Sequence, residues 1–309
     1  MYGLVTIIVG ALVAVQSRIN GQLATTVHNG IAGALLSNIA GWIFLWVLVF
    51  GIRAERSALK KVINAWKNKT IKWWEFTGGL GGGFFLSMQS INVPQIGVAI
   101  FTIATIGGQT VTSLIVDKIG ISPSGKKHIT IPRVIGAVTT LVAVTIAVKP
   151  ELTGTTFKLV PIVLTVLVGA VVAFQQAING RLNVVTGRPL ATSWINFSVG
   201  SMVLTTALII NLLNGGHISK LPTNPWVYLG GPLGLFYIAI SAYVVKHLGV
   251  LNFILFSVTG QLIGALLLDW LVPATNSPVS GYLVFGTLMT LASIAASQLF
   301  ENKITNRQK

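Results

Sequence analysis

Four amide side chains with a repeated spacing are the strongest candidates for chemistry in this sequence. Gln16 and Asn20 lie four residues apart in one apolar run, and Gln175 and Asn179 have the same spacing in a later run. Residues at i and i+4 share one face of a helix, so each pair forms a polar stripe. Such a stripe can replace the water that a small molecule loses inside a membrane, or it can hydrogen-bond to a neighbouring helix. The recurrence favours the lining of a substrate cavity, with interhelical bonding as the alternative.

A second pair of polar stripes has the same two interpretations. Thr105 and Gln109 lie four residues apart, and Ser257 and Gln261 repeat that arrangement. Each stripe places a hydroxyl and an amide on one helix face, where they can line a cavity or bond to another helix. We add these four residues to the predicted substrate site, with the two roles weighted equally.

These stripes belong to a duplicated unit. Residues 10–23 read GALVAVQSRINGQL and residues 169–182 read GAVVAFQQAINGRL, with nine of fourteen positions identical. Residues 78–117 match residues 230–269 without a gap, and that match includes Gln109 with Gln261 and Asp117 with Asp269. The chain therefore divides into two copies of one unit, residues 1–152 and 153–309.

Composition gives the class of protein. Hydrophobic residues make up 53% of the 309 residues and charged residues only 9%, against about 25% charged in soluble domains. Several apolar runs of roughly 20 residues are long enough to cross a bilayer, and the short alternating segments of a β-barrel are absent. We predict an all-α polytopic membrane protein. The net charge of +15 comes from loops beside the spans, so no nucleic-acid partner is expected.

Ten spans account for the apolar runs. Five fall in each copy, and the short segment Lys149–Lys158 joins the two copies. The predicted spans are 2–24, 30–52, 74–93, 95–117, 131–149, 158–180, 189–213, 225–245, 248–270 and 280–300.

The positions of the basic residues predict the orientation. With both termini on one side, 17 of the 21 Lys and Arg residues lie on that side, which the positive-inside rule makes the cytoplasm. Five spans per copy is an odd number, so the second copy enters the membrane inverted. The basic loops after spans two and four have counterparts after spans seven and nine that carry only Lys220. This is the inverted-repeat arrangement of alternating-access transporters.

The motifs resemble those of a known superfamily. Each copy has a Q-x-x-I-N-G-x-L first span and a G-Q…D fourth span, as in the drug/metabolite transporter superfamily. Over nearly its whole length the chain resembles the YdcZ-type inner-membrane exporters in a fused, double-length form. The resemblance implies a ten-helix inner-membrane protein that exports its substrate.

The charged residues near the spans have structural and functional interpretations. Asp117 and Asp269 are the only repeat-matched acids and lie at the ends of their spans. We favour anchoring, or pairing with a basic neighbour such as Lys118, over proton coupling. Arg18 points away from the Gln16 and Asn20 stripe. It either extends to the external surface or attracts anions at the outer mouth.

The sequence thus predicts a secondary transporter that exports a small metabolite or amphipath by alternating access. A non-catalytic membrane scaffold or a channel is the alternative. No carboxylate lies in span one or six to balance a cation, whose desolvation would be costly, so we expect a neutral or anionic substrate. We expect no cofactor, no metal site and no enzyme activity, with membrane lipid as surroundings and a monomer or homodimer as the assembly.

Overall fold

The computed structural model describes residues 1–123, 125–126, 128–153, 158–273 and 279–307. These residues form helices and connecting loops, and none of them lies in a β-strand. The nine α-helices of this part of the chain are α1 (Tyr2–Thr26), α2 (Gly30–Gly51), α3 (Arg53–Lys67), α4 (Gly78–Ile119), α5 (Ile131–Thr153), α6 (Leu159–Thr186), α7 (Pro189–Leu213), α8 (Gly230–Leu271) and α9 (Gly281–Arg307).

Seven helical segments among the described residues are long and apolar enough to cross a membrane. The predicted class, an all-helical membrane protein, is therefore confirmed. Helices α4 and α8 are 42 residues each, about twice the length that one crossing needs. Each of them covers two of the predicted spans.

Helix α4 folds back on itself at Gly97. This glycine has φ 81° and ψ 166°, a backbone conformation that residues other than glycine rarely adopt. Pro94, one turn earlier, has no backbone N–H to donate to the helical hydrogen bonds. The rings of Phe85 and Phe101 are 6.0 Å apart, whereas sixteen residues of straight helix would separate them by about 24 Å. Residues 78–96 and 98–119 are therefore two packed segments, which we call the first and second segments of α4.

Helix α8 also brings distant residues together. The hydroxyl oxygen of Tyr237 lies 2.9 Å from the Oγ of Ser257, although twenty residues of straight helix would span about 30 Å. The rings of Tyr237 and Phe253 are 6.2 Å apart. The part of α8 that begins at Gly230 therefore packs against the part that ends at Leu271, and we call these its first and second segments.

Close glycine contacts join α1 to α8 and α6 to α4. A Cβ atom on Gly10 would lie 2.2 Å from the backbone oxygen of Ser257, and one on Gly169 would lie 2.0 Å from that of Thr105. The backbones touch because neither glycine has a side chain. Gly10 matches Gly169 in the duplicated unit, and Ser257 matches Thr105, so the two contacts are equivalent.

The remaining long helices pair across the chain. Asn38 of α2 donates hydrogen bonds to the Phe197 carbonyl and to Ser201 of α7, and Trp42 bonds Ser198. As the residue number rises along α2 it falls along α7, so these helices are antiparallel. Helix α5 packs on α9 in the same antiparallel manner, with Gly136 beside Ser297 and Gly286 beside Ala143 among its contacts.

Helix α3 lies outside the set of spans. The sequence predicts a basic loop between spans two and three, but the structure forms a helix there, Arg53–Lys67. Glu55, Ala58 and Val62 are its buried residues, and Val62 packs in a cluster with Leu182 of α6 and Ile195 of α7. The three-and-four spacing of these residues gives the helix one face that can pack on the protein.

Candidate functional site

Asn20 is the centre of a closed polar network. Its amide nitrogen donates to Gln89 Oε1 at 2.6 Å, and its oxygen accepts from Ser37 Oγ at 2.6 Å. Gln89 in turn donates to Ser17 Oγ at 2.8 Å. All four side chains are buried. Asn20 thus links α1, α2 and the first segment of α4, as the interhelical alternative anticipated.

Asn179, the repeat partner of Asn20, has a different environment. Its amide oxygen and that of Asn196 are both buried, and neither accepts a hydrogen bond within the described chain. A Cβ on Gly78 would lie 2.0 Å from Asn179 Oδ1 and 2.8 Å from Asn196 Oδ1, so both oxygens point at one spot. Two buried acceptors without a donor are uncommon in folded proteins, and the Asn20 side of the molecule has no equivalent of this pair among its described residues.

One substitution between the repeats accounts for the difference. Ser37 and Asn196 occupy matching positions. The Ser37 hydroxyl donates to Asn20, whereas Asn196 donates its amide N–H to the Thr192 carbonyl. The oxygen of Asn196 therefore faces Asn179 where a donor would otherwise lie.

Gln16 and Gln175 lie against glycines at equivalent positions. A Cβ on Gly234 would lie 3.2 Å from Gln16 Nε2, and a Cβ on Gly82 would lie 3.0 Å from Gln175 Nε2. Both glutamines are half-buried. Neither side chain makes a hydrogen bond to another described residue.

The second pair of stripes is also unequal. Ser257 Oγ contacts the Tyr237 hydroxyl at 2.9 Å and accepts from Gln261 at 3.3 Å. The equivalent Thr105 Oγ1 is buried and has no partner in the described chain. Phe85 matches Tyr237 in the repeat and has no hydroxyl to offer, which explains the missing bond.

Gln109 and Gln261 also have different hydrogen-bond partners, because Gln261 donates to Ser257 on its own helix and Gln109 does not donate to Thr105. Its amide nitrogen donates to Gln176 Oε1 at 2.9 Å on the exposed side of α6. Of the eight predicted residues, Gln16, Asn20, Ser257 and Gln261 lie along the contact of α1 with α8, and Gln175, Asn179, Thr105 and Gln109 lie along the equivalent contact of α6 with α4. We call these two sets the α1 cluster and the α6 cluster. The buried polar atoms without a hydrogen-bond partner, Thr105 Oγ1 and Asn179 Oδ1, both lie in the α6 cluster.

Asp269 caps the broken helix α4. Its carboxylate accepts from the backbone N–H of Val98 at 3.0 Å and of Ala99 at 2.7 Å. These are the first free N–H groups after the break at Gly97, and a carboxylate satisfies both their hydrogen bonding and the helix dipole. The Arg18 guanidinium lies 3.9 Å from the same carboxylate. Asp269 is therefore a helix cap contributed by the other repeat.

Asp117 has a different partner and lies far from Asp269. It pairs with Arg133 at the start of α5 rather than with the adjacent Lys118. Asp269 contacts the beginning of the second segment of α4 and Asp117 lies in its last turns, eighteen residues or about 27 Å from Ala99. The two acids thus mark opposite ends of one span and cannot form a pair.

Arg18 joins α1 to the end of α8. It donates to the carbonyls of Val272 and Pro273, and its side chain is 23% exposed. It borders a cavity of about 290 Å³. The other residues of that lining are Gly21, Gln22, Thr25, Val93, Pro94, Val272 and Pro273. Because two carbonyls and Asp269 already surround the guanidinium, its charge is largely compensated.

Three cavities of the described chain lie away from the predicted site, the first of them the one beside Arg18. A second cavity of about 290 Å³ lies beside Asn29 and Asn211, and one of about 430 Å³ lies between α5 and α9. None of the eight predicted residues lines any of the three. In this conformation the two clusters are packed between helices.

The comparison with protein families identifies the class. A family model described as "Putative inner membrane exporter, YdcZ" matches residues 1–146 and again residues 160–296. The two matches cover nearly the whole chain, so this protein belongs to that family and contains two copies of its unit. It is a multi-pass inner-membrane protein of an exporter family. No curated protein and no solved structure matches the chain.

Proposed function

We propose that the protein is a secondary transporter whose ten spans form two inverted five-span repeats, and that it exports a small neutral or anionic molecule by alternating access. The family description supports export. The pairing of α1 with α8 and of α6 with α4 through equivalent residues supports the inverted repeats. This symmetric pairing is the observation that carries the proposal, because inverted repeats built around one site are the architecture of alternating-access carriers.

The direction of the helices supports the inversion. Helices α2 and α7 occupy matching positions in the two repeats and run antiparallel, and so do α5 and α9. Helix α6 is antiparallel to the first segment of α4 and parallel to the second. Helix α1 has the same relation to the two segments of α8. With α4 and α8 counted as two spans each, and without α3, the helices give ten spans.

We place both termini in the cytoplasm. The loop that contains α3 and the loop after α4 are the most basic parts of the chain, and the positive-inside rule assigns them to that side. The junction Lys149–Lys158 then lies outside. Residues 154–157 of that junction lie outside the described part of the chain.

The proposed substrate site comprises the two clusters. The α6 cluster contributes more of the polar atoms that have no hydrogen-bond partner. Asn179 and Thr105 leave polar atoms without partners there, as does Asn196 beside Asn179, and the Gln175 amide makes no hydrogen bond to another described residue. Buried amide oxygens without donors favour a ligand that supplies N–H or O–H groups. Alternating access would expose this cluster to water as α6 moves relative to α4.

The acids support a substrate that is not a cation. Four of the six acids have described side chains, and each already has a positive or N–H partner. Those acids are Glu55, Glu75, Asp117 and Asp269. A cation at the midplane would find none of these carboxylates free, and an unbalanced charge there is costly.

Transport in proteoliposomes tests the proposal. A thermal-shift screen of the purified protein against neutral, anionic and cationic metabolites first selects a ligand. Flux of that ligand should be saturable, and Asn179→Ala should raise its KM several-fold while Asn214→Ala, an exposed control, leaves it unchanged. Non-saturable flux would indicate a channel, and absence of flux with any stabilising ligand would indicate a scaffold. Robust export of tetraphenylphosphonium would overturn the assignment of substrate charge.

A further inference from the structure

Helix α3 has three distinct stripes along its surface. Glu55, Ala58 and Val62 form the stripe that is buried against the protein. Four basic residues follow one another at spacings of three, four and seven residues, which places them on one face. They are Arg53, Arg56, Lys60 and Lys67, all of them exposed.

An apolar stripe lies between the buried and the basic stripes. Leu59, Ile63 and Trp66 are spaced by four and three residues, and at about 100° per residue they lie roughly 75° from the buried stripe on one side and roughly 80° from the basic stripe on the other. Ile63 is 54% exposed and Trp66 is 49% exposed. Burial of these two side chains by the protein is thus incomplete, and the stripe is open to its surroundings.

The ends of α3 are held at the ends of membrane spans. The helix begins two residues after α2 ends, and Glu55 accepts a hydrogen bond from the backbone N–H of Ala191 at the start of α7. Beyond its C-terminus Trp73 is 70% exposed, and Trp side chains favour the interface between membrane and water. The contacts hold α3 beside the end of α2 and the start of α7, and Trp73 marks the same side of the molecule as interfacial.

We propose that α3 is a binding surface for anionic phospholipids, with its apolar stripe in the outer acyl region and its basic stripe against the phosphates. Charge complementarity selects the partner, because the helix carries five basic residues and its one acid, Glu55, is turned inward. An amphipathic helix with Lys and Arg beside Trp and Ile is typical of this interfacial position. The surface is independent of the transport site, so it stands whether or not the protein is a carrier.

Environment-sensitive labels test the position of the apolar stripe. The chain has no cysteine, so Ile63→Cys can carry a single polarity-sensitive fluorophore, with the neighbouring exposed Asn64→Cys as matched control. In nanodiscs of phosphatidylglycerol and phosphatidylcholine, the Ile63→Cys label should be blue-shifted and quenched by nitroxide lipids. The Asn64→Cys label should be quenched by aqueous iodide instead.

Charge neutralisation tests the basic stripe. Lys60→Gln with Lys67→Gln removes two charges from the stripe. Lys118→Gln with Lys126→Gln is the matched control and removes two exposed charges, one from the last turn of α4 and one from the loop after it. At about 1 kcal/mol per basic residue near an anionic surface, the first variant should bind phosphatidylglycerol about thirtyfold more weakly than the unmodified protein, measured by native mass spectrometry or lipid-dependent thermal stabilisation. The control should lose much less.

Three results would overturn the proposal. Equal aqueous quenching of the two labels would show that no lipid covers the apolar stripe. Shielding of the Ile63→Cys label without lipid quenching would show that a protein surface or a second copy covers it. Equal loss of phosphatidylglycerol binding in the two charge variants would show a general attraction to basic loops rather than a site on α3.

Discussion

The Asp269 carboxylate lies directly against Gly97: a Cβ at residue 97 would come within 2.7 Å of Asp269 Oδ2. The break in α4 and the group that caps it therefore come from different repeats. Only glycine fits, both because φ is positive and because the carboxylate occupies the adjacent space. The first repeat thus depends on the second for the geometry of this turn.

Removal of the Asp269 carboxylate should destabilise the protein more than removal of any other described acid. Asp269→Ala leaves two buried N–H groups without acceptors, and hydrogen bonds to a charged group contribute about 1.5–3 kcal/mol each. We expect a loss of about 2–4 kcal/mol in the free energy of unfolding, measured by denaturant titration of the purified protein in detergent.

Asp117→Ala is the matched control for that loss. Asp117 pairs with Arg133 near the end of α4, where both side chains are about 15% exposed, and water can replace part of the lost interaction. Its effect should be less than half as large. If the two variants lose equal stability, capping of the α4 break is not the main role of Asp269.

Alanine at the crossing glycines should also destabilise the protein. A Cβ on Gly10 or Gly169 would meet backbone oxygen at 2.2 Å or 2.0 Å, so the helices must separate. Overpacking of this kind costs about 1–3 kcal/mol or more. Gly51→Ala, where a Cβ would meet nothing within 4 Å, should be neutral or stabilising because alanine favours helix. Tolerance of alanine at residues 10 and 169 in thermal unfolding would refute the close crossing.

The two repeat-matched asparagines should respond in opposite ways. Asn20→Ala leaves Gln89 Oε1 without its donor and the Ser37 hydroxyl without its acceptor in a buried site, and it should reduce stability by about 1–3 kcal/mol. Asn179→Ala removes an acceptor that has no donor, so its effect on thermal unfolding should be below about 1 kcal/mol while ligand binding weakens. A larger loss of stability from Asn179→Ala than from Asn20→Ala would reverse our assignment of the two clusters.

Single cysteines should report the proposed orientation. Ser57→Cys in α3 should react with an impermeant maleimide only from the cytoplasmic side, and Asn214→Cys after α7 only from outside. Thr155 lies outside the described residues, in the junction that we place outside the cell. Thr155→Cys should therefore be labelled from the same side as Asn214→Cys. Labelling of Ser57→Cys and Asn214→Cys from the same side would exclude the proposed topology.

The spans could be predicted because hydrophobic length is a local property. Helix α7 begins and ends at the residues predicted for span seven, and α1 and α2 differ from prediction by two residues or fewer. The break at Gly97 lies three residues beyond the predicted gap at residue 94, and α8 folds back between Tyr237 and Phe253, an interval that contains the predicted gap between spans eight and nine. The amphipathic helix α3 was missed because its charge suggested a loop. The spacing of four residues from Ala58 to Val62 and from Val62 to Trp66 was the available signal.

The partners of the polar residues could not be predicted in the same way. Gln89 has no amide counterpart in the second repeat, so duplication did not single it out, yet it completes the network of Asn20. The capping role of Asp269 requires the break at Gly97 to lie next to it. Asp269 follows Val98, the first residue that it caps, by 171 residues in the sequence. Contacts of this range depend on how helices assemble, which neither apolar length nor repeat identity encodes.

The crossing of α1 with α8 also sets an order of biogenesis. Gly10 meets its partner Ser257 only after 247 further residues have been made, roughly 12–50 s of translation at 5–20 residues per second. Gly169, in contrast, enters the bilayer after Thr105 is already present. The second copy of the unit can therefore assemble as it emerges from the ribosome. The first span must wait in the membrane with its glycine surface uncovered until synthesis is nearly complete.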